Sequence, residues 1–217
     1  MHSSTERFDD KSSRQRSVRR TVRFTPAKLR IVAGFLGGRR IQYNGDPDTR
    51  PMKEKTREAV FSLLGGYLED TIAIDLFAGT GILAFEAISR GAEAAVLLEL
   101  SRPTVSVLLA NMRLLGLDEH ASVQNVDTLR WLRHAADRTS DLSQNPWVVF
   151  CCPPYALWRE KTGQLMEGLE NLIACAPVQS RFVCETESKF DLTKHLSQFV
   201  WDVRDYKPAK IAICTKG

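Results

Sequence analysis

Short apolar runs alternate along this chain with stretches whose apolar residues return every three or four positions. The runs at 72–75, 94–99, 121–126, 147–151 and 181–185 have strand length, and turn residues bound them. The run at 147–151 is apolar on both faces, as a central parallel strand must be. Between the runs the period becomes that of a helix. Residues 82–88 are helical in pattern and stop at Ser89-Arg90-Gly91. Ser101 caps a second helix, with Pro103 in its first turn; Val105, Leu108, Leu109, Met112 and Leu115 form its apolar face, and Gly116 ends it. Trp131, Leu132 and Ala135 mark a short third helix, and residues 159–175 a fourth. Residues 199–203 and 210–214 read as a closing hairpin.

This alternation predicts an α/β, Rossmann-like domain over residues 67–217: a seven-stranded, mostly parallel sheet with helices on both faces. Ahead of it, residues 29–66 predict a hairpin and helix extension. Residues 29–34 and 39–43 are its strands, turning at Gly37-Gly38, and 54–64 its helix, stopped by Gly65-Gly66. Ala59, Val60, Leu63 and Leu64 form that helix's apolar stripe, which puts Lys53, Lys55 and Arg57 at its edge or away from it. Residues 1–28 are rich in Ser, Arg and Lys with few apolar side chains, which predicts an arm disordered when free.

Charge sharpens the picture at that end. Residues 1–30 hold nine Lys or Arg against three acids, a local charge of +6, which leaves −2 for the rest of a chain whose total is +4. A polyanionic partner fits this asymmetry, and a solubilising tail is the plainer alternative. Arg30, Arg39, Arg40, Arg50, Lys53 and Arg57 would extend one phosphate-binding surface from the arm. No apolar run reaches the length of a membrane span, and the N-terminus lacks an apolar signal region. Five cysteines without C-x-x-C spacing read as reduced thiols in a cytoplasmic protein, with no disulfide framework and no metal site. No heptads are present, which suggests a monomer.

In parallel sheets ligands sit at the carboxyl ends of the strands, and Asp75, Glu99, Asp127 and Cys152 each close a different strand. After Asp75 comes Leu76-Phe77-Ala78-Gly79-Thr80-Gly81 and then a helix. Gly79 and Gly81 let the backbone approach a ligand, and the helix N-terminus beside them offers free N–H groups. A dinucleotide site uses a similar loop, and Gly79-Thr80-Gly81-Ile82-Leu83-Ala84 fits its fingerprint loosely. Asp75 and the Phe77-Ala78 spacer favour a different ligand, because a carboxylate there suits an amine rather than a pyrophosphate.

The Asp75–Gly81 string resembles motif I of class I S-adenosylmethionine (SAM) methyltransferases. That resemblance implies SAM as cofactor: Asp75 and the Phe77–Gly81 loop at the methionine part, Glu99 at the ribose hydroxyls, and Asp127 at the adenine amine. Cys152-Pro153-Pro154-Tyr155 resembles the (D/N)-P-P-(Y/F) motif of methyltransferases that modify exocyclic base amines. Such an amine is a poor nucleophile, since its lone pair is delocalised into the ring. Acceptors at Cys152 and the Pro153 carbonyl would orient it, and Tyr155 would stack on the base.

Arg30-Ile31-Val32-Ala33-Gly34, Arg50-Pro51, Lys55-Thr56-Arg57-Glu58-Ala59-Val60-Phe61, Glu86-Ala87-Ile88-Ser89-Arg90-Gly91-Ala92 and Val183-Cys184-Glu185-Thr186-Glu187 narrow the resemblance to the RsmD-type 16S rRNA guanine-N2 methyltransferases. The family implies a guanine in small-subunit rRNA as substrate. Its pattern carries Asp where this chain has Cys152, and a thiol is a weak acceptor. Losing one preorganised polar contact can cost roughly 10²–10³ in rate. The alternatives are a SAM- and RNA-binding protein of ribosome assembly with impaired catalysis, or a methyltransferase for another nucleic acid. Cys152 as a covalent nucleophile, as in carbon-5 pyrimidine methylation, is a further option, but Cys-Pro-Pro-Tyr does not match those enzymes' Pro-Cys motifs.

Overall fold

A computed structural model of the chain describes residues 27–43, 45, 51–142 and 144–217. The chain runs β1 (Ala27–Arg30), β2 (Arg40–Tyr43), α1 (Glu54–Leu63), β3 (Ile72–Asp75), α2 (Ile82–Ser89), β4 (Ala94–Glu99), α3 (Arg102–Leu115), β5 (Ala121–Asn125), α4 (Thr128–Leu132), α5 (Ala135–Thr139), β6 (Trp147–Cys151), α6 (Tyr155–Glu160), α7 (Thr162–Cys175), β7 (Arg181–Glu187), α8 (Leu192–His195), β8 (Trp201–Tyr206) and β9 (Ala209–Thr215). The main sheet has seven strands in the order β5-β4-β3-β6-β7-β9-β8. Its first five strands are parallel, and β9 and β8 are added antiparallel. The expected Rossmann-like architecture is therefore present.

Each face of the sheet carries its own core. One packs the hairpin, α1, α2 and α3 around Phe85, Leu97, Leu108 and Phe150. The other packs α4 to α7 around Trp131, Val149, Trp158 and Leu169. The chain leaves β3 towards β4 and β5, then returns to lay β6 on the other side of β3. That reversal opens a crevice at the carboxyl ends of β3 and β6, where such sheets bind ligands. Among the described residues no helix is long and apolar enough to cross a membrane.

Three local readings change. The first strand stops at Arg30, because Ile31 donates to the Arg39 carbonyl while Gly38 donates to Ile31, and the chain then loops over the end of α2. Helix 159–175 is two helices, α6 and α7, with a break at Lys161. The buried face of α1 is Thr56, Arg57, Val60 and Phe61; of the expected stripe Val60 and the adjoining Leu64 are buried, whereas Leu63 is 40 % exposed.

That burial corrects the role expected of Arg57. The residue is 1 % exposed and its side chain points inward, so it is no part of a phosphate-binding surface. Nε pairs with the Glu86 carboxylate at 3.3 Å, Nη2 donates to the Arg30 carbonyl at 2.6 Å, and Nη1 donates to the Met52 carbonyl at 3.4 Å. Burial pulls the Arg57 guanidinium below its ordinary value, against the attraction of Glu86. Glu86, fully buried on α2, also accepts Nε and Nη2 of Arg90 at 3.1 and 2.9 Å, and the backbone N–H groups of Val32 and Ala33 at 2.8 and 3.1 Å. The Arg90 guanidinium lies 4.7 Å from the centre of the Phe61 ring. One carboxylate thus ties the hairpin, α1 and α2 together.

Among the described residues, Arg30 and Arg40 are paired across the hairpin, beside Glu54 and Lys53, while Arg39 turns elsewhere. Arg30 is ion-paired with Glu54. Arg39 bonds the Leu114 carbonyl at the far end of α3, ~20 Å along that helix from its first residue. Arg40 and Lys53 are exposed. Arg50 and nearly all of the basic arm lie outside the described residues.

Candidate active site

A cavity of about 800 Å³ opens at the carboxyl ends of β3, β4, β6 and β7. This is ample for a cofactor and part of a second ligand. Phe77, Gly79, Glu99, Asp127, Cys152, Pro153, Pro154 and Tyr155 all line it, so the structure brings together most of the residues singled out at four separate strand ends.

The loop after β3 is shaped from both sides. Gly81, at φ 74° and ψ 2°, is the residue on which α2 starts. A Cβ there would meet Phe85 and Leu108, both fully buried, at 2.6 Å. From β4, the Glu99 carboxylate accepts from the Gly79 N–H at 3.0 Å and from the Ser101 N–H at 2.7 Å. Glu99 therefore fixes the loop as well as facing the cavity. Asp127 caps α4 by accepting from the Arg130 N–H at 3.1 Å, and the adjacent Thr128 hydroxyl donates to the Leu76 carbonyl.

Asp75 does not line the wall. It is 1 % exposed, beneath the glycine loop, and Oδ1 has no hydrogen-bond partner among the described residues. Burial pushes its carboxyl up to about 7, opposed by the N–H groups of Phe77 and Ala84, while Glu99 adds to the rise. The unfolded chain would lose this proton near 3.8 and the folded chain only near 7. In that window the native state binds more protons, so ligand-free stability falls as pH rises, by at most about 1.4 kcal/mol per pH unit. Chemical denaturation between pH 5 and 8 should show this fall, and Asp75→Asn should flatten it. An unchanged slope in the variant would exclude Asp75 as its source.

At the other end of the cavity, β6 delivers Cys152-Pro153-Pro154-Tyr155. Pro153 is buried, Pro154 precedes the first turn of α6, and Tyr155 opens that helix. Burial, then the fields of Glu185 and Asp75, push the Cys152 thiol well above its ordinary value. That shift favours the neutral thiol over the thiolate that a nucleophilic or basic role would need.

Several lining residues escaped the sequence reading. Pro51 and Met52 lie just before α1, and Leu98, Leu100, Ser101, Thr128, Leu129 and Leu157 complete the wall. The most consequential is Glu185, on the neighbouring parallel strand β7. Its Oε1 accepts from the Tyr155 hydroxyl at 3.1 Å, and its carbonyl accepts from Trp158 Nε1 at 2.8 Å. Being the last residue of a strand-length run was the signal that could have found it.

A glycine loop, an acid after the second strand, an acid after the third and a Pro-Pro turn on the fourth, all around one cavity, are the features of a SAM-dependent methyltransferase fold. Solved structures agree. A conserved hypothetical protein of Streptococcus pyogenes superposes with TM-score 0.61 at 27 % identity, over 74 % of this chain and 95 % of that one. The T. thermophilus 16S rRNA N2 G1207 methyltransferase, solved with AdoMet and guanosine, shares the fold with TM-score 0.64 at 16 % identity, over 89 % of this chain and 50 % of that one. Residues 29–214 match the family described as Conserved hypothetical protein 95, and the chain belongs to this RsmD-type family. The ribosomal RNA small subunit methyltransferase D of Buchnera aphidicola is 33 % identical over 129 residues, 59 % of this chain. The match spans slightly under two thirds of that relative, 64 % of its length.

The residues present fit SAM. The orphaned Oδ1 of Asp75 lies buried beneath the loop, Glu99 keeps acceptor capacity beyond its two backbone bonds, and Asp127 lines the same cavity.

Proposed function

We propose that this chain transfers a methyl group from SAM to the exocyclic N2 amine of a guanine in small-subunit rRNA, in the cytoplasm where that subunit is assembled. The observation that carries the reading is the shared cavity: the glycine loop, Glu99 and Asp127 at one end, and the Cys152–Tyr155 turn at the other. The names of relatives supply the RNA: small-subunit methyltransferase D in Buchnera, and a guanine-N2 enzyme among the structures sharing the fold.

Bound in this cavity, SAM supplies an electrophilic methyl group. The protein's part is positioning. Glu99, held by the Gly79 and Ser101 N–H groups, accepts the ribose hydroxyls with its remaining lone pairs. Asp127 accepts from the adenine amine. Asp75 stabilises the positive charge arriving above it, and that charge in turn draws the Asp75 carboxyl down from about 7, so cofactor binding releases a proton below that pH. The Pro153 carbonyl accepts one hydrogen of the reacting amine. Tyr155 flanks the base, its hydroxyl tied to Glu185. Exposed Arg40 and Lys53, together with the arm, would meet RNA phosphates.

The test is transfer of labelled methyl from SAM to unmodified small ribosomal subunits by this protein and by Cys152→Asp. Label on guanine N2 from the native protein is the expected result. Label from the variant alone would favour the alternative of a SAM- and RNA-binding assembly protein, which the thiol at position 152 motivates. No label from either, with SAM bound, would reject the substrate.

A further inference from the structure

We propose that Glu185 is the carboxylate that grips the reacting base, and that it selects guanine by accepting N1–H and N2–H together. The proposal rests on the reading of this cavity as a site for a guanine amine, and it assigns the recognition to a residue outside the Cys-Pro-Pro-Tyr turn.

Strands β6 and β7 are parallel neighbours, with Cys151 opposite Cys184. The next residues are Cys152, just past the end of β6, and Glu185, still within β7, and both line the cavity. Position 152 offers a thiol, a weak acceptor. The strong acceptor in that corner is the Glu185 carboxylate one strand away, half-buried and so partly shielded from water. Its orientation is fixed twice. The Tyr155 hydroxyl donates to Oε1 at 3.1 Å, and the Trp158 indole N–H donates to the Glu185 carbonyl at 2.8 Å, anchoring the strand end to α6.

The edge of guanine that carries N2 presents two adjacent donors, N1–H and N2–H. A carboxylate accepts both in the forked geometry it uses with a guanidinium. Adenine and cytosine present a donor beside a ring-nitrogen acceptor, so the same carboxylate would oppose a lone pair. The second N2 hydrogen faces the Pro153 turn. As the N2–methyl bond forms, the methyl–sulfur bond breaks with its electron pair passing to sulfur, and the proton released from N2 passes to Glu185 and then to water.

The experiment has two arms. The first measures binding of guanosine and adenosine 5′-monophosphates to the full chain saturated with S-adenosylhomocysteine, and needs no turnover. The native protein should prefer the guanine nucleotide at least tenfold. Glu185→Gln keeps an acceptor for Tyr155 but sets an N–H against a guanine donor, and should lose that preference while its affinity for S-adenosylhomocysteine stays within threefold. The second arm measures methyl transfer to unmodified small subunits. Glu185→Gln should be slower by roughly 10²–10³, and Cys152→Asp in the Glu185→Gln background should recover at least tenfold by restoring a carboxylate in the same corner. A native protein without base preference, or a variant that keeps it, overturns the role of Glu185 even where transfer proceeds. A preference that depends on Glu185, with no transfer by the native protein, upholds Glu185 and rejects the enzymatic reading.

Discussion

Glu86→Ala is expected to lower stability by about 3–5 kcal/mol, the range for breaking a buried ion pair from one side. The reason is what the substitution leaves behind. Arg57 and Arg90 would keep two guanidinium groups in a site that is 1 % and 7 % exposed, with their shared counter-charge gone. The N–H groups of Val32 and Ala33 would lose their acceptor in the same step. Attraction repays the desolvation of these cations only while the carboxylate is present; without it the penalty stands alone. Glu86→Gln should cost nearly as much, since an amide keeps the shape but not the charge. A variant with Glu86, Arg57 and Arg90 all replaced by apolar residues of similar volume should recover much of the loss. Urea unfolding measures this as a fall in midpoint at constant slope. A loss below 1 kcal/mol in Glu86→Ala would mean that the network is not a determinant of the fold.

This cluster also shows where sequence pattern stops informing. Arg30-Ile31-Val32-Ala33-Gly34, Arg57 and Glu86–Gly91 carry the family resemblance, and of them Arg30 and Arg57 were expected on an RNA surface. In the fold they are largely one interior latch. Periodicity scores a charged residue as outward-facing, so a buried Arg–Glu–Arg trio makes the α1 stripe read with Leu63 in place of Phe61, although Val60 and Leu64 are buried as expected. Only the long-range partner, Glu86, supplies the reason for the burial, and it lies 29 residues away.

The sheet was legible because a buried parallel strand declares itself locally; Ala94–Glu99 and Trp147–Cys151 coincide with the runs that predicted them. The candidate site was legible where chemistry sits at a strand end. It was not legible at Pro51 and Met52, whose place on the wall is set by the hairpin and by the Arg57 bond to the Met52 carbonyl rather than by their own neighbours in sequence. Asp75 was expected on the wall and lies beneath it, because a strand-end position does not say how far a side chain reaches.

Gly34→Ala should detach the hairpin loop from α2 and cost about 3 kcal/mol or more. Gly34 has φ +80°, which an alanine adopts at a cost of roughly 1–2 kcal/mol. The added Cβ would also stand 1.7 Å from the Ser89 carbonyl oxygen, an overlap that backbone must relieve by moving. That carbonyl accepts from the Phe35 N–H at 2.8 Å, and the Ser89 hydroxyl accepts from the Leu36 N–H at 2.9 Å while donating to the Ala33 carbonyl at 2.5 Å. All three bonds depend on the close approach that only glycine allows. Hydrogen exchange should show protection lost at Val32, Ala33, Phe35 and Leu36 and retained in β3, β4 and β6. Ser89→Ala is the matched control: it removes the two hydroxyl bonds without adding an atom, and should cost about 1–3 kcal/mol. If Gly34→Ala proves milder than Ser89→Ala, the hydroxyl rather than the backbone approach holds the loop.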